Sequence, residues 1–262
     1  MKDINLINDL CAQHKRFKDI ENESAAVVKT PENHYLVVRL DGINLSRIYL
    51  KNDIVNKKFK MILAKAVQQT YYRLHRKSPT NAQQIFLAAF MASDEVSFIL
   101  NTYDNYYDDR ILKIVTTLAS TLSFLFTKEG IHHSLESEHT IYGAFDGKPL
   151  ILKDKQQVKD YIAYRSAIYY RNTMGKELRL NGVSDNELYN ENNHNNLSYY
   201  QAKYQELNLN IETMKKSCTV FVPCIDDDKK LKPIKNRSLV KLIELYSNSI
   251  DKFENYLADR NQ

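Results

Sequence analysis

The sequence predicts a mixed α/β fold of the α+β type, in which helices flank an antiparallel sheet. Three observations predict it. Short apolar runs at 35–40, 85–90 and 95–100 have the length of strands. The long segment between the first two runs repeats apolar residues at helical spacing. The last two runs are separated only by a short turn, which is typical of a hairpin. Together these features predict a β-α-β-β core.

The elements of the first hundred residues follow from these patterns. They are, in order, a polar, mostly helical lead-in at 1–33, a strand at 35–40, a helix from Asn52 or Asp53 to about Leu74, a strand at 85–90, a turn at 91–94 and a strand at 95–100.

The second half continues with a helix that begins near Asp108 or Asp109. Its apolar positions share one helical face: Ile111, Ile114, Val115, Leu118, Leu122, Leu125 and Phe126. The remaining predictions are a polar loop at 128–139, a turn at 145–148, a short strand at 149–152, a helix capped by Asp154, an asparagine-rich segment at 181–196, a helix at about 197–208, a final strand at 218–225, a charged loop at 226–237 and a helix at 238–258.

The composition is typical of a soluble globular protein. Of the 262 residues, 43% are hydrophobic and 26% are charged, which suffices for a core. No apolar run approaches the ~18 residues of a membrane span, and the first residues lack the apolar stretch of a signal peptide. We therefore expect a cytoplasmic location and no membrane partner. The net charge of +5 is mild but suits a polyanionic partner.

The cysteines and the histidine-rich segment do not predict a metal or disulfide framework. The three cysteines, an odd number, are Cys11, Cys218 and Cys224. With His132, His133 and His139 they form no common zinc-ligand spacing, so a surface segment is the favoured interpretation of the histidines.

Two acidic motifs lie where strands end. Arg39-Leu40-Asp41-Gly42 follows the first apolar run, and Ser93-Asp94-Glu95 lies between the two runs of the hairpin. Taken singly, each is typical of a turn. Taken together, they bring Asp41 and Asp94 to neighbouring strand ends, where two carboxylates can hold two Mg²⁺ ions about 3.5–4 Å apart. This is the arrangement of a polymerase-like palm. Gly42 permits close approach and leaves the backbone of residues 42–46 free to hold phosphates.

Six ordered segments resemble the histidine-tRNA guanylyltransferase superfamily, which includes 3′–5′ polymerases. They are Arg39-Leu40-Asp41-Gly42-Ile43-Asn44, Ser93-Asp94-Glu95, Arg110-x-x-Lys113, Thr116–Ser120, Phe145-Asp146-Gly147-Lys148 and Lys159–Arg165. The resemblance covers roughly residues 10–225. It implies a palm core with its lead-in at 1–152, and helical additions with a final strand at 153–262 packed on that core as one compact unit.

The resemblance also implies roles for individual residues. Asp41 and Asp94, assisted by the backbone carbonyl of Gly42, would bind metal, and Glu95 would be a neighbouring acidic residue of the catalytic site. The implied nucleotide-binding residues are Gly42, Ile43, Asn44, Leu45, Ser46, Ser93, Arg110 and Lys113. The implied RNA or nucleotide contacts are Lys148, Arg165 and Asn172.

The implied activity is metal-dependent addition of nucleotides, in the 3′–5′ direction, to an RNA 5′ end, with tRNA as the expected RNA. In the family, ATP or GTP activates a 5′-monophosphate, and the 3′-hydroxyl of an incoming nucleoside triphosphate then attacks the activated end. Two Mg²⁺ ions, for which Mn²⁺ can substitute, serve both steps. A homo-oligomer, either a tetramer or a dimer, is expected by the same resemblance.

The sequence departs from the family pattern where the base and the RNA would be read. Phe59 falls where the family has a base-reading aspartate, and the segment 170–176 keeps only Asn172 of the family's His-Ile-Asn-Asn-Leu-Tyr-Asn. We therefore expect neither strict GTP choice nor strict recognition of histidine tRNA. Two alternatives remain open: a cyclic-nucleotide or oligonucleotide synthetase built on the same palm, and a non-catalytic RNA-binding member.

Overall fold

One antiparallel sheet organises the protein. The computed structural model describes residues 2–25, 28–49, 53–75, 86–101, 106–134, 140–225 and 230–260. Six strands in these residues pair in the order β4-β1-β3-β2-β5-β6. They are β1 (Tyr35–Gly42), β2 (Phe86–Ala92), β3 (Glu95–Leu100), β4 (Phe145–Leu152), β5 (Cys218–Pro223) and β6 (Leu231–Lys235).

Helices cover both faces of this sheet. On one face lie α1 (Lys2–Cys11), α2 (His14–Ala25), α6 (Lys155–Leu180), α8 (Leu197–Glu206) and α9 (Leu239–Arg260). On the other face lie α3 (Leu45–Tyr49), α4 (Asp53–His75) and α5 (Ile111–Ser134). Shorter elements are α7 (Asp185–Leu188) and the 3₁₀ turns Tyr106–Asp109 and Ile211–Lys216.

The alternation of side chains along the strands produces two separate cores. Val37 and Ile99 are paired across β1 and β3 and belong to the cluster under α6 and α9. Their neighbours Val38 and Phe98 are also paired, and belong to the cluster under α4 and α5. Successive residues of a strand point to opposite faces, so each strand contributes to both cores.

Much of the predicted secondary structure is confirmed. The β-α-β-β core, its hairpin and the helix ending near residue 75 are present, and all seven predicted positions of the α5 stripe are buried. Asp154 caps α6, its Oδ1 accepting a hydrogen bond from the Gln157 amide at 2.7 Å. The asparagine-rich segment contains only the four-residue α7, and the C-terminal helix is α9. Asn52, the alternative cap of α4, lies outside the described residues.

The predicted turn at 145–148 is wrong. These residues are the first half of β4, which pairs with β1 from Phe145 opposite Gly42 to Leu152 opposite Tyr35. Gly147 serves close packing rather than a turn, because a Cβ there would lie 2.7 Å from Val115 Cγ1 and 2.9 Å from Leu40 Cδ2. The glycine lets α5 approach the sheet.

The predicted polar loop at 128–139 is wrong in its first half. Helix α5 continues to Ser134, and Glu129 and Gly130 are buried within it. Glu129 is held by α4: its Oε1 accepts one hydrogen bond from Gln69 at 2.7 Å, and its Oε2 pairs with Lys65 at 2.6 Å. Residues 135–139, including His139, lie outside the described residues.

The strand at 218–223 is not the final one. Residues 231–235, predicted as charged loop, form the edge strand β6. Leu231 and Ile234 are buried while Lys232, Pro233 and Lys235 are exposed. Lysine and proline on an edge strand discourage further strand pairing, and they disguise the strand in the sequence. The turn of the β2–β3 hairpin is also shorter than predicted, because β2 extends through Ala92.

Helix α5 is the helix in the described residues whose length and apolarity would suffice to cross a membrane. Its stripe, including Leu118, Leu122 and Phe126, is fully buried in the core beneath the sheet. This is how the core helix of a globular domain packs. The division of the chain at residue 152 stays a prediction; the sheet takes strands from both sides of it.

Candidate active site

The two predicted carboxylates meet at one end of the sheet. Asp41 is the penultimate residue of β1, and Asp94 lies in the turn between β2 and β3. Because β1 and β3 are antiparallel, with Asp41 paired to Glu95, the end of one strand lies beside the start of the other. The sequence prediction that Asp41 and Asp94 are neighbours is therefore confirmed by the strand register.

Asp94 is built into this end of the sheet. The residue is buried, its Oδ2 accepts a hydrogen bond from the Ser46 amide at 2.8 Å, and its Oδ1 accepts one from Ser93 Oγ at 3.1 Å. Ser46 lies in the first turn of α3, so Asp94 satisfies an amide that the helix itself leaves unpaired. The carboxylate is thus oriented from two sides.

Gly42 is required where β1 passes the hairpin turn. Its amide donates to the backbone oxygen of Asp94 at 3.1 Å. A Cβ on Gly42 would lie 3.0 Å from Asp94 Cβ and 2.8 Å from Leu45 Cδ1, and real Cβ atoms rarely approach so closely. Glycine therefore sets the distance between the two acidic segments.

The loop at residues 42–46 offers fewer free amides than the sequence suggests. The amides of Gly42 and Ser46 donate to Asp94, and the Ile43 amide donates to the Ala144 carbonyl at 3.0 Å. The prediction that this whole stretch is free to hold phosphates is therefore wrong for three of its five residues. Asn44 has a left-handed φ of 60°, and Leu45 is buried.

Asp41 carries the exposed carboxylate of the site. The surrounding protein partly desolvates this group and so raises its pKa above the ordinary value, and the carboxylates of Asp94 and Glu95 raise the pKa further. The Arg39 guanidinium acts in the opposite direction. A group of like charges such as this one favours a bound cation.

Asp146 belongs to the same group and was missed as a site residue by the sequence analysis. It lies directly opposite Asp41 in the β1–β4 ladder, is exposed, and also raises the pKa of Asp41. Directly opposed residues place their Cβ atoms about 4.5–5.5 Å apart on one face. Asp146 is part of the Phe-Asp-Gly-Lys motif that the sequence singled out. Because that motif was interpreted as a turn, Asp146 was not expected on a strand beside Asp41.

Glu95 does not present a free carboxylate. Its Oε1 accepts from Arg165 Nε at 3.0 Å, its Oε2 pairs with Arg165 Nη2, and Arg39 Nε lies 3.8 Å from Oε2. Both Glu95 and Arg165 are largely buried, and Arg39 also pairs with Glu21 of α2 at 2.7 Å. The structure therefore gives Glu95 a positioning role. Arg165 is engaged in this internal pair, and its role as an RNA contact stays a prediction.

Arg110 and Lys113 lie near the start of α5. The start of α5 packs beside the first residues of β1 and the last residues of β3. Asp41 and Asp94 lie at the opposite end of these two strands, so Arg110 and Lys113 are at the far end of the sheet from the carboxylates. Arg110 pairs with Asp108 at 3.5 Å, and the Lys113 ammonium lies 5.7 Å from the centre of the Tyr107 ring. Both side chains are exposed. Their role in binding a triphosphate stays a prediction.

Two other predicted contacts lie on the side of the carboxylates. Lys148 is exposed on β4 opposite Arg39, with its Nζ 4.0 Å from Glu21 Oε1. Asn172 is exposed on α6 and lines a cavity of about 310 Å³ that also contacts Ser46 and Ser93. Both therefore lie where an RNA or nucleotide could reach them.

The donors at this end of the sheet suit a magnesium ion. Carboxylate and carbonyl oxygens are the ligands that Mg²⁺ prefers. Among the residues that the structure describes, no three His, Cys, Asp or Glu side chains converge as a ready metal cage. The available set is thus the two carboxylates of Asp41 and Asp94 with the Gly42 carbonyl, as in sites where Mg²⁺ keeps waters and substrate oxygens.

A family model described as tRNAHis guanylyltransferase (Thg1) matches residues 14–153, which is more than half of the chain. The chain belongs to the tRNA-histidine guanylyltransferase family. The matched range contains Asp41, Asp94 and Asp146. Its members include proteins named "Probable tRNA(His) guanylyltransferase" from Homo sapiens, 26% identical over 146 residues, and from Dictyostelium discoideum, 24% identical over 143 residues.

These alignments cover only part of each guanylyltransferase. The alignment with the human protein spans 53% of this chain and 45% of that protein. The alignment with the Dictyostelium protein spans 55% of this chain and 54% of that protein. The chain thus spans about half the length of the curated relatives it matches.

Solved structures of the guanylyltransferase family share the fold over most of the chain. A bacterial tRNA(His) guanylyltransferase-like protein in complex with ATP has a TM-score of 0.62 at 19% identity, covering 90% of this chain and 98% of that one. The Saccharomyces cerevisiae tRNA(His) guanylyltransferase has a TM-score of 0.60 at 17% identity, covering 82% and 95%. The palm-type fold predicted from the sequence is therefore confirmed.

Proposed function

We propose that this protein is a metal-dependent nucleotidyltransferase that adds nucleotides in the 3′–5′ direction to an RNA 5′ end, with tRNA as the RNA. One observation carries the proposal: Asp41 and Asp94, from segments 53 residues apart, are neighbours at the end of a palm-type sheet. Membership of the guanylyltransferase family supports the same reaction class.

Asp41, Asp94 and the Gly42 carbonyl would hold the Mg²⁺ ions. When bound, such ions lower the pKa of an attacking hydroxyl and stabilise a leaving pyrophosphate. The protein's own contribution is orientation: the Ser46 amide and Ser93 hydroxyl fix Asp94, and Gly42 sets its distance from β1. Arg39 and Arg165 neutralise Glu95 beside them, so that its charge adds less to the repulsion at Asp41.

ATP and GTP are the proposed nucleotide substrates. Bacterial guanylyltransferase-like proteins of the same fold are known in complex with each of them. Two features of this chain favour relaxed base choice. Phe59 is fully buried, stacked on Tyr49 and against Phe126, and Tyr170 is buried with its hydroxyl donating to the Arg237 carbonyl. Neither side chain can offer free polar atoms to a base, so neither position contributes to the penalty that rejects the wrong base.

Incubation of the protein with labelled nucleoside triphosphates and 5′-truncated tRNAs, followed by sequencing of the products, tests this function. We expect 5′ extension that Asp41→Asn and Asp94→Asn both abolish and that the exposed control Asp19→Asn retains. Product formed without RNA would favour the synthetase alternative. RNA binding without any product would favour the non-catalytic member.

A further inference from the structure

A groove lined by cations opens beside the carboxylates. It has a volume of about 310 Å³ and lies between α3, α4, α6 and the β2–β3 turn. Among the described residues, four basic ones line it: Arg47, Lys60, Lys176 and Arg179. The same described lining contains no Asp or Glu. A concave surface with charge of one sign concentrates ligands of the opposite charge.

Most of this positive charge is available to a ligand. Within the described residues, neither Arg47 nor Lys176 forms an ion pair. Arg179 pairs with Asp185 at 3.9 Å, but both side chains are exposed, and such pairs contribute little. Lys176 and Arg179 are three residues apart on α6 and therefore neighbours on its surface, where two like charges repel unless an anion lies between them.

The groove is continuous with the proposed active site. Ser93 and Ser46 line it, and these are the two residues that hydrogen-bond the Asp94 carboxylate. An anionic chain lying along the cations would therefore end at the turn that carries Asp94. Asn172 also lines the groove, and its side-chain amide can donate a hydrogen bond to a phosphate or sugar oxygen.

We infer that this groove binds the phosphodiester backbone of the RNA next to its 5′ end, and that Lys176 and Arg179 are its principal contacts. The assignment rests on the proposed function, since it takes the RNA as the substrate. An RNA strand carries a phosphate at every nucleotide, so it can meet cations on α3, α4 and α6 at once. Backbone contacts carry no base information, so RNAs of different sequence should bind this groove alike.

The test measures RNA binding rather than activity. The dissociation constant of a 5′-truncated tRNA is measured over a range of KCl concentrations for the wild type and for Lys176→Gln/Arg179→Gln. Each lost phosphate contact lowers the slope of log affinity against log salt by about 1, so we expect a fall of about 2 and weaker binding at low salt. Lys232→Gln/Lys235→Gln, two exposed cations on β6, is the matched control and should keep the wild-type slope.

Calorimetry with ATP or GTP in the absence of RNA separates the two phosphate sources. We expect unchanged nucleotide affinity in the double variant. Weakened nucleotide binding with an unchanged salt slope for RNA would overturn the inference and assign the groove to the triphosphate. An unchanged slope with unchanged nucleotide binding would overturn it as well.

A second variant guards against loss of folding. Lys176 is half-buried, whereas Arg47 and Arg179 are both exposed, so Arg47→Gln/Arg179→Gln should leave the fold intact. It should lower the slope by about 1 to 2, because it removes one principal contact, Arg179, and a neighbouring cation. Failure of the proposed function is distinguishable: a wild-type protein that binds RNA through this groove but extends none would remove the function and keep the groove. Conversely, if the wild type extends RNA and the double variants keep the wild-type salt slope, the proposed function stands and the groove assignment is removed.

Discussion

Arg165 of α6 and Glu95 at the start of β3 form a buried, two-pronged ion pair. Arg165 Nε lies 3.0 Å from Glu95 Oε1, Nη2 pairs with Oε2, and the two side chains are only 11% and 5% exposed. Arg165 Nη2 also lies 3.2 Å from the Tyr169 hydroxyl. Because Glu95 follows Asp94 directly, this pair ties α6 to the turn that carries a proposed metal ligand.

The first prediction is that this pair stabilises the fold. Arg165→Met should lower the free energy of unfolding by about 3–5 kcal/mol, because it removes both hydrogen bonds to a buried carboxylate and leaves the more distant Arg39 as its ion-pair partner. Urea denaturation measures the change. Lys241→Met is the matched control, since its pair with Glu244 at 2.9 Å is exposed and should be worth at most about 1 kcal/mol. Equal losses in the two variants would contradict the structural role of Arg165.

The second prediction is that Mg²⁺ stabilises the folded protein through Asp41. At ten times its dissociation constant, Mg²⁺ should raise the free energy of unfolding of the wild type by about 1.4 kcal/mol. Asp41→Asn should lose this gain while unfolding normally in EDTA. Its turnover should fall on the order of 10³-fold, the equivalent of several kcal/mol of transition-state stabilisation. Near-normal turnover of Asp41→Asn would remove the metal assignment.

The third prediction concerns Asp146, which lies opposite Asp41 in the β1–β4 ladder. Its charge should attract the metal without ligating it directly. Asp146→Asn should therefore raise the Mg²⁺ concentration needed for half-maximal activity several-fold and largely keep the rate at saturating Mg²⁺, while Asp19→Asn changes neither. A loss at saturating Mg²⁺ as large as that of Asp41→Asn would make Asp146 a ligand instead.

The fourth prediction contrasts two glycines. Gly42→Ala should push the end of β1 away from Asp94 and Leu45, with a cost of about 1–3 kcal/mol and a strong loss of activity. Gly175→Ala within α6 meets only ordinary contacts, 3.4 Å or more from Tyr200, and should stabilise the protein by about 0.5–1 kcal/mol. Unfolding curves and turnover of both variants check this. An active, stable Gly42→Ala protein would show that this close approach is dispensable.

The sequence by itself determined the elements whose signal is local. The apolar run before Asp41, the two runs around Asp94 and the stripe of α5 follow a period of two or of 3.6 residues, and each forms the predicted strand or helix. The sequence also predicted that Asp41 and Asp94 are neighbours. A strand that pairs with a following hairpin can be aligned with it in only a few ways, and the observed pairing brings the two residues together.

Only the tertiary structure decided which distant residues join this end of the sheet. Asp146 faces Asp41 because β4 pairs with β1 across more than a hundred residues, and Arg165 meets Glu95 across 70. The four cations of the groove lie on three helices, and no local pattern relates them. Local periodicity reports which face of an element is apolar. Which elements then meet depends on packing around the whole sheet, and so the polar partners of Asp41, Asp94 and Glu95 emerged only from the folded chain.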